Sequence, residues 1–156
     1  MKAWMEEYGR GHKMLIEAIE GISEEVLRFK PAPDHWSIHQ IIIHVTDSEI
    51  LSTHRMRKVL AENEPLLYSF DQDQWVDELR YDVLDREQHL QLFESLRLSM
   101  QPILDHLTEE QAERGGVYPD GLRFTFKQLL EYRVQHIRGH LAQIERVRDA
   151  YRATQS

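Results

Sequence analysis

Apolar residues recur at three- and four-residue spacing in four long stretches of the chain, 2–21, 36–63, 85–107 and 124–151. This spacing places them on one side of an α-helix, so each stretch is predicted to form an amphipathic helix that faces a core. The stripes comprise Trp4, Tyr8, Leu15, Ile19 and Ile22 in the first helix, Leu90, Phe93, Leu96, Met100, Ile103 and Leu107 in the third, and Leu130, Val134, Ile137, Leu141, Ile144 and Tyr151 in the fourth. The pattern predicts an all-α chain whose long helices pack as a bundle.

The second and fourth helices begin with the same signature, WSIHQII at Trp36 and FTFKQLL at Phe124. In each, a hydroxyl residue is followed three positions later by glutamine, which is the pattern of a capping box. The boxes pair Ser37 with Gln40 and Thr125 with Gln128, and the flanking staples pair Trp36 with Ile41 and Phe124 with Leu129. Both helices are therefore predicted to enter the bundle in a related way.

Three histidines each lie on the same side of their helix as its capping residue. His136 and His140 are four residues apart on the fourth helix, and they follow its cap by 11 and 15 residues, whereas His44 follows the second cap by 7. At about 3.6 residues per turn these offsets are close to whole turns, so all three project from the side of their cap. Three imidazoles can ligate one metal ion. On spacing alone, buried hydrogen-bonded histidines remain an equal alternative.

Two other histidine patterns carry less weight. His35 and His39 are also four residues apart, but they straddle the cap at Ser37 and do not share a helical face. His12 falls on the inner stripe of the first helix, where a hydrogen-bonded core histidine is the favoured interpretation and a group lining the site is the alternative.

The segment 64–84 is too long for a tight turn and too aromatic for a disordered linker. We expect it to pack across an end of the bundle. Its residues Asp71, Asp73, Trp75 and Tyr81 are candidates to line the opening over a metal; the alternative is an acidic, solvated crossover anchored by Trp75.

The remaining connections are short. Ser23 opens one capped helical turn and TEEQAER forms another, while GGVYPDG is predicted to be a loop. Asp85 with Gln88 starts the third long helix, and Pro102 must kink it or end its regular part.

Composition limits the chemistry. The 156 residues fit a single domain, 1–156, and the absence of cysteine excludes thiolate ligands and a cysteine nucleophile, so every metal ligand must be His, Asp or Glu. A formal charge of −8 with no Lys/Arg-rich run argues against a nucleic-acid partner. There is no signal peptide and no long apolar run, so we expect a soluble, cytoplasmic protein without a membrane partner.

Three segments together resemble the DinB/YfiT-like superfamily, also described as bacillithiol-transferase-like metalloenzymes. They are WSIHQIIIHVTDSE around His44, YSFDQDQW in the crossover, and QHIRGHLAQI with His136 and His140. The resemblance spans nearly the whole chain. It implies a four-helix bundle with long crossover loops and short extra helical turns, often dimeric, with one divalent metal ion such as Zn or Ni held by these three histidines.

Resemblance to this family implies a metal-dependent enzyme that acts on a small molecule. The first expectation is a thiol S-transferase-like protein using a low-molecular-weight thiol; the alternatives are a metal-dependent hydrolase and a non-enzymatic structural or sensing protein. Four polar residues one turn from the histidines are candidates to orient them, although each is equally compatible with a solvated flank. They are Gln40, Asp47, Tyr132 and Gln143.

Overall fold

Four long helices form the body of the computed structural model, which describes all residues from Met1 to Ser156. They are α1 (Lys2–Ile19), α3 (Ile38–Ala61), α5 (Arg86–Asp105) and α7 (Phe126–Thr154). Helix α3 packs against α5 and α7, and α1 also packs against α5 and α7. Each long helix therefore has two neighbours, with α1 diagonally opposite α3, and the predicted four-helix bundle is confirmed.

Both predicted capping boxes are present at the starts of α3 and α7. Ser37 Oγ accepts a hydrogen bond from the Gln40 backbone at 3.1 Å, and Gln40 Oε1 accepts one from the Ser37 backbone at 3.0 Å. At α7 the same reciprocal bonds join Thr125 and Gln128 at 3.2 and 2.9 Å. Both helix starts are thus determined by local chemistry.

Short elements connect the long helices. They are α2 (Glu24–Arg28), α4 (Gln72–Glu78), a 3₁₀ turn (Tyr81–Val83) and α6 (Glu109–Ala112). The side chains of Ser23, Asp71 and Thr108 cap the three short α-helices. The prediction for Pro102 also holds, because α5 ends at Asp105, within one turn of the proline.

The crossover 64–84 runs along α3 rather than across an end of the bundle. Val76 and Tyr81 pack against Ile43 near the start of α3, whereas Leu67 joins the apolar cluster that contains Met56 and Val59 near its end. The expected position was wrong because α4 and the 3₁₀ turn give the crossover an apolar face of its own, which covers the length of α3.

The segment predicted to be a loop contains a small antiparallel hairpin, in which β1 (Gly115–Val117) pairs with β2 (Arg123–Thr125). Glycine is depleted in strands, so the sequence pattern favours a loop. Here a β-carbon at Gly115 would lie 2.5 Å from Arg123 Cζ, and one at Gly116 would lie 2.8 Å from the Pro65 carbonyl. The glycines permit close approach of neighbouring chain, which is the reason that this strand carries them.

Two apolar clusters fill the bundle interior. One contains Phe93 with residues from α1, α3 and α7, and the other contains Met100 with residues from the same helices. The stripe of the third long helix differs from the prediction: Leu96 and Ile103 of α5 are only partly buried, as is Leu107 just beyond it, while Arg97 and Leu104 are buried.

A layer of charge separates the two clusters. Glu49 is fully buried; its carboxylate accepts hydrogen bonds from the Tyr8 hydroxyl at 2.8 Å, from Arg97 Nη2 at 2.9 Å and from Arg133 Nη2 at 3.1 Å. Arg97 also donates to the Tyr8 backbone carbonyl at 2.6 Å, and Arg133 donates to Ser48 Oγ at 2.9 Å. We call Tyr8, Glu49, Arg97 and Arg133 the polar layer; it joins all four long helices.

None of the helices combines the length and apolarity that a membrane span requires. The expectations of self-association and of no nucleic-acid partner stay predictions.

Candidate metal centre

Three imidazoles from two neighbouring helices converge on one point. His44 Nε2 lies 3.3 Å from His136 Nε2, which lies 3.1 Å from His140 Nε2, and no other carboxylate or imidazole joins this group. Nitrogens bound to a tetrahedral ion at about 2.0–2.1 Å lie about 3.3–3.4 Å apart. Both spacings are close to this value, and all three ligand nitrogens lie within 4.8 Å of one another, so they are close enough to share a single ion.

The protonation of His140 supports this fit. Its Nδ1 lies 2.8 Å from Gln143 Oε1, which can only accept a hydrogen bond, so the ring proton is on Nδ1. The lone pair of Nε2 consequently points toward the other two imidazoles. His44 Nδ1 and His136 Nδ1 are buried and have no hydrogen-bond partner in the chain. Gln143 is thus the one side chain that orients a ring of the cluster by a hydrogen bond.

The histidines are neutral at physiological pH. Burial, with smaller effects from His140 and Arg133, lowers the pKa of His44 to about 3. Burial followed by the charge of Arg133 lowers the pKa of His136, and burial also lowers that of His140. A neutral imidazole is the form that ligates a metal, so no proton has to be displaced at pH 7.

Aromatic rings surround the cluster. The ring centroids of Trp36 and Phe70 lie 4.8 and 6.2 Å from that of His44, and the Tyr132 ring lies 6.1 Å from His136. Trp75 packs on Phe70 at 4.7 Å. Phe70 was not singled out from the sequence, although it lies in the aromatic run that drew attention to Trp75.

The expected lining of the opening was mostly wrong. Asp71 caps α4, Asp73 lies in a separate cleft, and Tyr81 is buried with its hydroxyl donating to Asp47 Oδ2 at 2.6 Å. Trp75 packs on Phe70, whose ring stacks with that of His44. Other residues of the crossover line the opening instead, because the Asp71 carboxylate caps α4 and therefore points toward that helix.

The four candidates for orienting the histidines have different roles. Gln143 contacts His140, and Tyr132 packs beside His136. Gln40 serves the cap of α3, and Asp47 accepts from Tyr81, so neither contacts an imidazole. Asp47 does not belong to the group of ligand atoms formed by the three histidines.

The three other histidines singled out from the sequence lie beside ordinary partners. His39 Nε2 lies 2.8 Å from the Tyr81 carbonyl, while His35 is exposed beside Asp34. His12 Nδ1 lies 3.5 Å from a carboxylate oxygen of Glu94. Its side chain is partly exposed and does not line the cavity beside His136, so His12 is neither the favoured hydrogen-bonded core histidine nor a group lining the site, and none of the three belongs to the cluster.

A cavity of about 380 Å³ opens beside His136. Its walls combine aromatic and apolar side chains with two arginines and one acid. The lining comprises Ser48, Arg55, Ser69, Phe70, Gln72, Tyr118, Asp120, Leu122, Phe124, Leu129, Tyr132, Arg133 and His136. A small organic molecule fits this space, with one end next to the histidines.

Replacing Gln143 by alanine is expected to weaken divalent-metal binding by about 10- to 100-fold, because the His140 ring loses the acceptor that fixes its orientation. Competition with a chromophoric chelator measures this affinity. Gln135→Ala, at an exposed position of the same helix, is the matched control and should bind metal like the unaltered protein. Equal affinities in both variants would contradict the orienting role.

Comparisons with known proteins identify the family and agree with the fold. A relative from Bacillus licheniformis, named as a proposed metal-dependent hydrolase, is 27% identical over 146 residues, covering 93% of this chain and 83% of its own. One from Halalkalibacterium halodurans with the same description is 32% identical over 110 residues, covering 70% of this chain and 64% of its own.

The solved structure of YfiT from Bacillus subtilis, described as a candidate metal-dependent hydrolase with an unusual four-helix bundle topology, has a TM-score of 0.87 at 24% identity. The match covers 94% of this chain and 84% of YfiT. The family model of the DinB superfamily matches residues 7–144. Because that match spans most of the sequence, the chain belongs to the DinB superfamily.

Proposed function

We propose that this protein is a divalent-metal-dependent enzyme whose ion is held by His44, His136 and His140. The convergence of the three Nε2 atoms at 3.1 and 3.3 Å carries the proposal. Neutral imidazoles suit Zn or Ni, whereas Mg and Ca prefer oxygen ligands. The names of the relatives as proposed metal-dependent hydrolases support the same conclusion.

When bound, such an ion supplies Lewis acidity to a water, to a thiol or to a polar group of the substrate. The chain supplies the surroundings. Trp36 and Phe70 cover the faces of His44 and limit access of bulk water, and Gln143 holds the His140 ring. The cavity beside His136 directs a substrate to the histidines.

Hydrolysis of a small molecule is the first candidate reaction, because the relatives are named for it. Transfer to a low-molecular-weight thiol is the second, and one structural observation favours it. No carboxylate lies with the three histidines to act as a general base, and a thiol, with a pKa of about 8.5, needs less help to ionise than water does. In both reactions the nucleophile comes from outside the protein, because the chain has no cysteine and no serine in a recognisable nucleophile motif.

An assay with and without thiol distinguishes these reactions. Protein loaded with Zn or Ni is incubated with a chromogenic ester and, separately, with a generic electrophile plus glutathione, cysteine or bacillithiol. We expect turnover that requires the metal and that is lost in His136→Ala.

Turnover of the ester without thiol identifies a hydrolase, and turnover that requires both metal and thiol identifies a transferase. Inactivity in both assays, in protein whose metal exchanges no water, would contradict the enzyme proposal and favour a structural or sensing site.

A further inference from the structure

The cavity beside His136 has a charge opposite to that of the whole protein. The chain carries a formal charge of −8. Among the residues that line the cavity, however, two are arginines, Arg55 and Arg133, and one is an acid, Asp120. Asp120 is exposed, and one of its carboxylate oxygens accepts a hydrogen bond from the backbone of Leu122. Arg133 is buried whereas Asp120 is exposed, so solvent screens the negative charge more than that of Arg133.

The charge of Arg133 is only partly compensated. Its carboxylate partner, Glu49, is shared with Arg97, so two buried guanidiniums face one carboxylate. The polar layer therefore retains one net positive charge, counting two arginines and one glutamate. Since Arg133 also borders the cavity, this charge acts on whatever binds there.

Arg55 has no carboxylate partner within salt-bridge distance. It donates from Nε to the Tyr68 carbonyl at 2.8 Å, and its Nη2 makes a second, close contact with the same oxygen. Its guanidinium lies 5.8 Å from the centre of the Tyr118 ring. Nη1 makes no hydrogen bond within the protein and is free to donate to a ligand.

Two neutral donors accompany the arginines. The hydroxyls of Tyr118 and Tyr132 make no hydrogen bond within the chain, although both residues line the cavity. Burial raises the pKa of Tyr118, so its hydroxyl keeps its proton and can donate. The cavity wall also contains the apolar side chains of Phe70, Phe124 and Leu129.

We propose that this cavity is a subsite for an organic anion, in which Arg55 is the recognition residue for a carboxylate or phosphate-type oxyanion. The apolar body of the ligand packs against Phe70 and Phe124, and Tyr118 and Tyr132 assist Arg55 as donors. The orientation of the substrate's reacting end toward His136 rests on the proposed function; the binding of the anion does not.

The test uses metal-free protein and three small probes: benzoate, phenylphosphonate and the neutral benzamide. Isothermal titration calorimetry, with ligand-observed NMR for weak binding, measures each dissociation constant. We expect at least one of the two anions to bind about tenfold or more tightly than benzamide, the size expected for a charge-assisted hydrogen bond. Comparison of the two anions distinguishes a carboxylate site from a phosphate-type site.

Arg55→Met should remove the preference for anions, and Arg57→Met, at an exposed position of the same helix, should leave it unchanged. Arg55 also holds the crossover through Tyr68, so its loss could weaken all binding. The ratio of anion to benzamide affinity separates the two effects, since a merely loosened wall lowers both affinities together. Arg55→Lys keeps the charge and should keep part of the preference.

Affinities for benzoate and phenylphosphonate that both equal that for benzamide in the unaltered protein would overturn the proposal, and so would an anion preference that survives Arg55→Met. Anion binding that requires loaded metal and is insensitive to Arg55 also overturns it, while leaving the proposed function intact. Conversely, Arg55-dependent anion binding in a protein that takes up no metal would support the subsite and contradict the proposed function.

Discussion

Alanine in place of His136 is expected to reduce divalent-metal affinity by more than about 100-fold, because losing a ligand costs more than losing a residue that orients one. His136 is the central member of the cluster, 3.3 Å from His44 and 3.1 Å from His140, so its removal leaves two imidazoles. Metal analysis after dialysis, with chelator competition, gives the occupancy and the affinity.

The helices should survive this change. The surrounding core is apolar, and circular dichroism should show helical content close to that of the unaltered protein. His54→Ala, at an exposed position on the helix that carries His44, is the matched control and should keep full occupancy. One metal ion per chain in His136→Ala would mean that the ligands lie elsewhere.

The second large effect concerns stability. Glu49→Gln is expected to lower the free energy of unfolding by about 3–5 kcal/mol, because Arg97 and Arg133 would remain buried without a counter-charge. Urea denaturation followed by circular dichroism measures the loss. Glu64→Gln breaks an exposed pair with Arg123 and should cost far less, because solvent screens this pair. Equal costs for the two variants would show that the polar layer contributes no more than a surface pair.

The Glu49 carboxylate should also make the stability of the protein depend on pH. Burial alone would raise the pKa of Glu49, but the charges of Arg97 and Arg133 outweigh burial and lower it to about 2. The pKa in the folded protein is thus below the ordinary value of 4.5, so the contribution to stability is present above pH 4.5 and is lost as pH falls toward 2. Urea midpoints between pH 5 and 3 should fall less steeply in Glu49→Gln than in the unaltered protein.

The features that the sequence predicts best are those with short-range causes. A capping box depends on residues three positions apart, so Ser37 with Gln40 and Thr125 with Gln128 could be identified without a structure. The grouping of His44, His136 and His140 then follows from helical periodicity counted from two related caps. Their role as metal ligands stays a prediction.

The polar layer was missed for a physical reason. Periodicity assigns charged residues to solvent, so Leu96 was placed in the core stripe of α5 and Arg97 was not. Burial of Arg97 becomes acceptable only when Glu49 arrives from a different helix, and no local pattern reports a partner 48 positions away. Phe70 was missed similarly, because its contact with His44 depends on the path of the crossover along α3.

The polar layer also fixes the relative position of the two helices that carry the histidines. Glu49 follows His44 by five residues on α3, and Arg133 precedes His136 by three on α7, so their ion pair sets how far one helix is shifted along the other. A slip by one turn, about 5.4 Å, would place each charge against an apolar cluster and would also separate the imidazoles beyond the reach of one ion. The spacing of the three imidazoles is therefore maintained by the ion pair between Glu49 and Arg133. This pair lies about one turn away and does not touch the ligand atoms.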